Sequence, residues 1–350
     1  MDYIIQKSLK LVESGFIPDQ AIRAAIRGLS KKRLIQEGRY DPEQAAQRYM
    51  DVLNMLKQSE IAIETEKANE QHYELPTRFF QAVLGRRLKY SACYFPHDTT
   101  TLDQAEEFAL QIYSERAKLQ DGQHILELGC GWGSFTLWMA ERYPNVLITA
   151  VSNSKTQREH ILKQARIRGL LNIEVLTCDV NVLELSHQQF DRVVSVEMFE
   201  HVRNYQRLFE KINGWLKPDG LLWCHIFCHR FLHYPFEIKS EYDWMSKYFF
   251  TGGLMPSVST FLHFQEHLEL EQHWQWSGQH YERTANAWLE NMDAHAIELK
   301  PIFEQTYGKE ADAWWQRWRI FFMACAELFG FEQGQEWVIG HFLFHKKTTG

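Results

Sequence analysis

The order of apolar and polar positions predicts alternating strands and helices through the middle of the chain. Short apolar runs predict strands at 124–129, 146–152, 173–179, 191–196 and 220–227. Amphipathic runs predict helices at 134–143, 155–168 and 204–216, and Lys217-Pro-Asp-Gly220 predicts a sharp turn before the fifth strand. Such alternation with short loops is typical of a parallel sheet covered on both faces. In open α/β sheets, ligands bind beyond the carboxyl ends of the strands.

Both ends of the chain follow other patterns. Residues 4–70 have helical spacing but are too polar for a core of their own, so we expect a cap on the main domain. A helix at 102–117 precedes the first strand. After 228 we predict an aromatic-rich insertion at 229–265, a strand at 268–276, helices at 283–305 and 310–329, and a closing strand at 336–346. We therefore divide the chain into a cap and covering segment, 1–115, and a core, 116–350, whose pocket insertions lie at 229–265 and 283–330.

Composition narrows the class of protein. The 350 residues are 45% hydrophobic and 24% charged, which is typical of a folded chain with a sizeable core. The net charge of −7, without a basic block, argues against a nucleic-acid partner. Six scattered cysteines lack the paired spacing of a zinc site, so we predict free thiols and no metal. No stretch approaches the ~20 apolar residues of a membrane span and no signal core is present, so we expect a cytoplasmic protein.

A glycine-rich turn follows the first predicted strand. The segment Ile125-Leu-Glu-Leu-Gly-Cys-Gly-Trp-Gly133 places three glycines at alternate positions just before a helix. Glycine tolerates positive φ and lets a ligand approach the backbone closely. The spacing matches neither a dinucleotide fingerprint nor a P-loop. It resembles motif I of the class I S-adenosylmethionine-dependent methyltransferases, whereas by itself it also fits an ordinary strand–helix turn.

A cluster of ionisable residues follows the fourth predicted strand. Glu197, Glu200 and His201 are spaced i, i+3 and i+4, so a helical segment would place all three on one face. Two carboxylates and an imidazole there would attract an ammonium and accept its proton. A solvated helix start, with its acids favoured by the helix dipole, explains the spacing equally well.

Other polar residues follow the second and third strands. Asn153 and Gln157 could hydrogen-bond ribose hydroxyls, although a surface N-cap is the alternative for Asn153. Asp179 could accept from an adenine amino group, beside the backbone amide of Val180. His225 lies within the fifth strand, where a lone histidine is usually a core residue, and Tyr281 is predicted to be a loop aromatic.

Several segments together resemble one family over almost the whole chain, from about Leu11 to Lys347. The chain looks like the coclaurine N-methyltransferase group, relatives of the cyclopropane fatty-acid and mycolic-acid cyclopropane synthases. The segments that carry the resemblance are Gly15-Phe-Ile-Pro18, His72-Tyr-Glu-Leu-Pro76, Cys93-Tyr-Phe95, 126–133, Ala150-Val-Ser-Asn-Ser154, 196–201 with Asn204-Tyr205, and Trp318-Arg-Ile-Phe-Phe322.

The resemblance implies a fold and a set of site residues. The fold is a class I methyltransferase Rossmann-like α/β fold, a seven-stranded sheet with an N-terminal helical cap and a C-terminal helical insertion. The cofactor is S-adenosyl-L-methionine, and the implied catalytic cluster is Glu197, Glu200 and His201. The residues expected at the cofactor are Tyr90, Ser91, Gly129, Gly131, Asn153, Gln157, Asp179, Val180 and Val196. Those expected at the substrate are Glu74, Tyr94, His225 and Tyr281.

The cyclopropane synthases differ at one instructive place. They hold a bicarbonate base with a cysteine, a glutamate, a histidine and a tyrosine, where this chain has Ala92, Glu200, His225 and Tyr281. They also tend to have a small residue at the position of Glu197. Both departures favour transfer of a methyl group to the nitrogen of a small aromatic amine, without bicarbonate, over lipid modification.

Two other functions stay open alongside amine methylation. One is an enzyme that modifies an unsaturated acyl chain, and the other is a donor-binding protein without catalysis. The cluster of 197–201 argues against the second, because a sensor needs no base beside the donor. The sequence does not name the amine or set the oligomeric state, and a homodimer is one arrangement that it allows.

Overall fold

A seven-stranded sheet is the centre of the computed structural model, which describes residues 11–63, 75–238 and 243–347. The strands of this sheet are β1 (His124–Leu128), β2 (Leu147–Ser152), β3 (Ile173–Thr177), β4 (Phe190–Val196), β5 (Leu216–His229), β8 (Leu268–Trp276) and β9 (Trp337–Lys346), and β6 (Tyr234–Pro235) and β7 (Leu254–Met255) form a separate pair. Their order in the sheet is β3-β2-β1-β4-β5-β9-β8. The first five strands pair in parallel, and β9 is antiparallel to both β5 and β8. The predicted seven-stranded fold is thereby confirmed.

Helices cover the sheet, and further helices precede its first strand and separate its last two strands. In order they are α1 (Asp19–Gln36), α2 (Pro42–Gln58), α3 (Thr77–Val83), α4 (Leu102–Arg116), α5 (Ser134–Arg142), α6 (Lys155–Arg168), α7 (Tyr205–Trp215), α8 (Trp244–Tyr248), α9 (Gln279–Ala294), α10 (Ala296–Tyr307) and α11 (Ala311–Phe329). The first of them packs on α11, and α2 packs on α7. The division at residue 115 stays a prediction.

Three local predictions are wrong. Residues 217–220 do not form a turn before β5 but belong to it, because the register against β4 shifts between Phe190 and Arg192 and accommodates a proline there. The helix predicted at 283–305 is two helices, since His295 has the non-helical angles φ −97° and ψ 18°. Tyr281 is not in a loop, because α9 already begins at Gln279.

Alternate side chains along each strand enter different apolar layers. On β1, Ile125 belongs to one core cluster and its neighbour Leu126 to another, as the two-residue period of a strand requires. Both layers are buried, so a ligand reaches the sheet at the ends of its strands. Among the described residues, no helix is long and apolar enough to cross a membrane.

Candidate active site

The glycine turn after β1 is built from left-handed backbone. Gly129, Gly131 and Gly133 have φ of +77°, +52° and +80°. A Cβ at Gly129 would lie 2.7 Å from Met198, and one at Gly133 would lie 2.6 Å from Ile161, so packing excludes a side chain at both. At Gly131 a Cβ would meet no described atom within 4 Å. The turn is therefore tight on both sides and open in the middle, as a ligand cradle requires.

A cavity of about 80 Å³, the glycine-loop cavity, lies beside this turn. It is lined by the turn, the end of β4 and residues 88–91. Five of the predicted cofactor residues line it: Tyr90, Ser91, Gly129, Gly131 and Val196. Ser134, at the start of α5, lines it too, and the buried hydroxyl of this residue has no described hydrogen-bond partner. An unsatisfied buried donor beside an open glycine turn fits a polar ligand in this cavity.

The other four predicted cofactor residues lie at neighbouring strand ends. Asn153 follows β2, and Asp179 and Val180 follow β3. On α6, the buried Gln157 accepts a hydrogen bond from Ser152 Oγ (2.6 Å), and its Nε2 has no described partner. These residues are outside the lining of the glycine-loop cavity, although all follow strands that end at one edge of the sheet. Their cofactor contacts stay a prediction.

A second cavity, the apolar cavity, measures about 110 Å³ and adjoins the same sheet edge. Most of its wall comes from the aromatic-rich insertion and from α11. Its lining residues are Tyr90, Glu197, His201, Phe227, Phe236, Met245, Phe250, Met255, Tyr281, Phe321, Cys325, Leu328 and Phe329. The apolar members were not predicted individually, because their spacing only indicates burial. Most of them lie in the two pocket insertions predicted from the sequence, 229–265 and 283–330.

Glu197 faces both cavities, and three donors hold its carboxylate. Ala92 N–H donates to Oε1 at 2.9 Å, and His225 Nε2 lies 3.0 Å from the same oxygen. Tyr281 Oη–H donates to Oε2 at 2.9 Å. The residue has φ +49°, a left-handed angle that is unfavourable for a side chain with a Cβ. The surrounding contacts fix this carboxylate in place despite that strain.

The three residues of the predicted cluster do not lie on one helix face: Glu200 is separated from Glu197, whereas His201 lines the same cavity as Glu197. Only Phe199–His201 form a 3₁₀ turn, and Glu197 precedes it in a left-handed conformation, so the expected single helix face is wrong. Fully buried Glu200 lies outside the lining of the apolar cavity, and its Oε1 accepts from Phe227 N–H at 2.6 Å. His201 does line that cavity.

Burial sets the charge of both residues. It raises the pKa of Glu200 well above its ordinary value, and the negative charge of Glu197 raises it further, so both effects favour the neutral, protonated form of Glu200. Burial lowers the pKa of His201 to about 4, against a smaller opposite effect from Glu197. The apolar cavity therefore presents one carboxylate and a neutral imidazole.

The predicted substrate residues have different surroundings. Tyr281 lines the apolar cavity. His225 is fully buried and does not line it, but it contacts Glu197, which does. Tyr94 lines neither cavity; its ring stacks on His280 with the centroids 4.4 Å apart. Its assignment to the substrate is therefore not supported by its position. Glu74 is outside the described residues.

The donor atom of Ala92 is a part of the site that sequence reasoning missed. Its backbone N–H contacts Glu197, and a main-chain donor has no signature in the side-chain pattern. Within the described residues, no group of three or more His, Cys, Asp or Glu side chains is arranged to hold a metal ion.

Comparison with known proteins places this architecture in a family. Residues 61–338 match the family described as mycolic acid cyclopropane synthetase. The chain belongs to this family. Within it, the chain is 40% identical to (S)-coclaurine N-methyltransferase of Thalictrum flavum subsp. glaucum, over 98% of this chain and 96% of that protein. It is 38% identical to the enzyme of the same name from Papaver somniferum, over 98% of each chain.

A solved structure resembles the whole molecule. The crystal structure of coclaurine N-methyltransferase bound to N-methylheliamine and SAH superimposes with a TM-score of 0.94. The sequences are 39% identical, and the match covers 98% of this chain and 100% of that one. The resemblance predicted from the sequence motifs is confirmed in both sequence and fold.

Proposed function

We propose that this chain transfers a methyl group from S-adenosylmethionine to the nitrogen of a small, aromatic, alkaloid-like amine. In this proposal Glu197 holds the ammonium and His201 accepts its proton. The observation that carries the proposal is the position of Glu197, whose carboxylate faces the glycine-loop cavity and the apolar cavity alike. A cation bound there has its nitrogen at the boundary between donor and acceptor sites.

The enzyme is an S-adenosylmethionine-dependent N-methyltransferase, and S-adenosylmethionine is its cofactor. When bound, the cofactor supplies an electrophilic methyl group on a sulfonium. The open space at Gly131 and the unsatisfied donors of Ser134 and Gln157 are the features of this chain that fit such a polar, nucleotide-containing ligand.

The walls of the apolar cavity explain the preference for an aromatic cation. An ammonium loses hydration on entering the cavity, and a fixed carboxylate together with aromatic faces replaces that stabilisation. Among the described lining residues, Glu197 is the only acidic side chain, so it determines where the cation settles. Rings such as Phe227 and Phe329 pack against the rest of the substrate.

The charge states of the site residues indicate which group accepts the proton of the bound ammonium. Nitrogen can attack the methyl group only through a free lone pair, so the bound ammonium must first lose a proton. His201 lies on the cavity wall, and its ring is neutral near pH 7. Burial makes this ring a weak base, whereas the nearby negative charge of Glu197 raises its pKa and so favours transfer of that proton to its ring nitrogen. Glu200 is fully buried and accepts a hydrogen bond from Phe227 N–H. In our proposal it holds the backbone of this wall residue in place and does not touch the substrate.

Lipid modification is the second candidate, and the contacts of Glu197 weigh against it. Ala92, His225 and Tyr281 match three of the four positions that hold bicarbonate in the cyclopropane synthases, as the sequence motifs imply. Here all three hydrogen-bond the carboxylate of Glu197. A carboxylate of the chain itself thus occupies the place of the external base, which supports amine methylation without bicarbonate.

The test compares two acceptor classes with methyl-labelled donor. Aromatic secondary amines and vesicles of unsaturated phospholipid are incubated in parallel, after removal of dissolved bicarbonate and after its return. We expect labelled amine at a rate that bicarbonate leaves unchanged, and no gain in lipid mass. Labelled lipid, or activity that depends on added bicarbonate, would contradict the amine assignment. The cytoplasmic location and the oligomeric state remain predictions from the sequence.

A further inference from the structure

A continuous hydrogen-bonded chain of side chains leads from the edge of the core to Glu197. Arg116 Nη1 lies 2.6 Å from His341 Nδ1, and His341 Nε2 lies 3.0 Å from His225 Nδ1. His225 Nε2 then lies 3.0 Å from Glu197 Oε1. Both imidazoles are fully buried, and Arg116 at the outer end is partly exposed. Four side chains from four different parts of the sequence thus form one line.

The fold explains this alignment. His225 on β5 and His341 on β9 are direct partners in the antiparallel register, so their rings project from the same face of the sheet. Tyr113 of α4 covers both rings, with centroid distances of 5.2 and 5.4 Å. Arg116 lies one helical turn further along α4, and its guanidinium is 5.5 Å from the ring centroid of Trp276. Strand pairing and helix packing together hold the line rigid.

Arginine at the outer end gives the line a direction. A guanidinium carries only donors, so His341 must accept at Nδ1 and carry its proton on Nε2. That proton is donated to His225 Nδ1, which forces His225 into the same tautomer. His225 Nε2–H is consequently a permanent donor to Glu197 Oε1.

The electrostatics of the line agree with two neutral rings. Burial lowers the pKa of His225 to about 4, and the hydrogen bond from His225 to Glu197 only partly opposes this. Burial also lowers the pKa of His341 well below its ordinary value, and the nearby positive charges of Arg116 and Lys89 lower it further. His273 of β8 acts on His341 in the same direction, and the uncharged Tyr113 and Trp276 complete the surroundings.

We propose that Arg116 and His341 are positioning residues that lock the tautomer of His225 and thereby keep the carboxylate of Glu197 aimed at the amine. This inference rests on the proposed role of Glu197 as the cation anchor. It also has a consequence for proton transfer. Since Arg116 cannot accept a proton, none can leave the site outward along this line, which agrees with the proposed transfer of the amine proton to His201.

The direct test reads the tautomers. Protein labelled with ¹⁵N-histidine is examined by long-range ¹H–¹⁵N correlation spectra, with His225 and His341 assigned from His225→Gln and His341→Gln variants. In the unsubstituted protein both rings should be neutral and protonated on Nε2 alone. In Arg116→Met, which keeps the stem against Trp276 and removes the donor, a second tautomer should appear. A proton on Nδ1 of His225 in the unsubstituted protein would overturn the proposal.

Kinetics supply an independent readout with a matched control. Arg116→Met and His341→Leu should raise the amine KM about 10-fold, the scale of one charge-assisted hydrogen bond, with a smaller change in kcat. Arg116→Lys, which keeps a cationic donor, should recover most of the loss.

Arg192→Met is the control, because Arg192 donates to Ala117 O (3.0 Å) at the same end of α4 but contacts no member of the line. Folded Arg116→Met with the tautomers and KM of this control would refute the proposal. The tautomer spectra need no turnover, so they stand even if the chain methylates no amine. In that case the proposed function fails while the locked line survives.

Discussion

At the scale of single residues, the site separates two neighbouring carboxyl groups by their surroundings. Glu197 receives three hydrogen bonds at the boundary of two cavities, whereas Glu200 is buried with one donor and a raised pKa. Left-handed backbone at a residue with a Cβ costs roughly 1–2 kcal/mol. Such strain persists only where the surrounding contacts outweigh it, and here those contacts aim Glu197 at both cavities.

A matched pair of substitutions tests this difference. Glu197→Gln removes the negative charge that holds the ammonium, so the amine KM should rise about 10-fold or more, the scale of a lost charge-assisted contact. Glu200→Gln replaces a neutral acid by a neutral amide that can still accept from Phe227 N–H, so it should stay within about threefold of the unsubstituted enzyme. Steady-state kinetics at pH 7.5 measures both. Equal losses in the two variants would mean that Glu200 takes part in catalysis directly.

At the scale of elements, helix α4 fastens the segment that covers the glycine-loop cavity. Glu106 accepts from Arg87 N–H at 2.6 Å and from Lys89 N–H at 3.0 Å, and Asp103 accepts from Arg86 N–H at 2.8 Å. The next residues, Tyr90 and Ser91, line that cavity. Two carboxylates of one helix therefore position the covering segment by accepting hydrogen bonds from its backbone N–H groups.

Loss of these hydrogen bonds should weaken cofactor binding more than it lowers the stability of the fold. In Glu106→Ala two buried N–H groups lose their acceptor, so we expect the Kd for S-adenosylhomocysteine to rise about 10-fold, on the order of one lost hydrogen bond or two. Titration calorimetry measures the effect. Glu115→Ala, on the exposed side of the same helix, is the control and should bind normally. Unchanged affinity in folded Glu106→Ala would mean that packing alone positions residues 88–91.

At the scale of the whole molecule, buried ionisable groups set how stability depends on pH. Burial raises the pKa of Glu106 to about 7 and that of Glu127 to about 8, so these two carboxyl groups bind more protons in the folded protein than in the unfolded chain above about pH 4.5. Their contribution to stability is lost as pH rises through those values. Burial lowers the pKa of His201 and His225 to about 4, so their contribution is lost as pH falls from 6.5 to 4. The two effects oppose each other between about pH 4.5 and 6.5, so stability should be highest between about pH 5 and 6.

Substitutions test which buried groups cause stability to fall at alkaline pH and at acid pH. Denaturant unfolding from pH 5 to 9 should show a shallower decline on the alkaline side for Glu127→Gln, because the buried acid no longer ionises. Glu336→Gln is the control for the opposite sign. Burial raises the pKa of Glu336, but the hydrogen bonds from Arg39 and the close approach of His229 Nε2 (3.2 Å) outweigh it and lower the pKa to about 2, so the contribution of Glu336 is lost only as pH falls from 4.5 to 2. Glu336→Gln should leave the alkaline limb unchanged, and an altered limb would show that the limb has another origin.

The sequence by itself determined the sheet, most helices and the glycine turn. These features depend on neighbours within a few residues, and hydrophobic periodicity and glycine spacing report such local preferences directly. The boundary errors at 217–220 and His295 arise where a strand register and a helix junction override those preferences. The motif resemblance also located the edge of the sheet at which the chemistry occurs.

Only the tertiary structure decided how the site residues divide their roles. Ala92 and Tyr281 lie 105 and 84 positions from Glu197, and His341 lies 116 positions from His225, so no local pattern could report these contacts. Burial likewise decided that Glu200 is a neutral acid, although its sequence spacing suggested an equal partner of Glu197. Charge state and hydrogen-bond direction depend on what the complete fold packs around a group, and a spacing in the sequence does not contain that information.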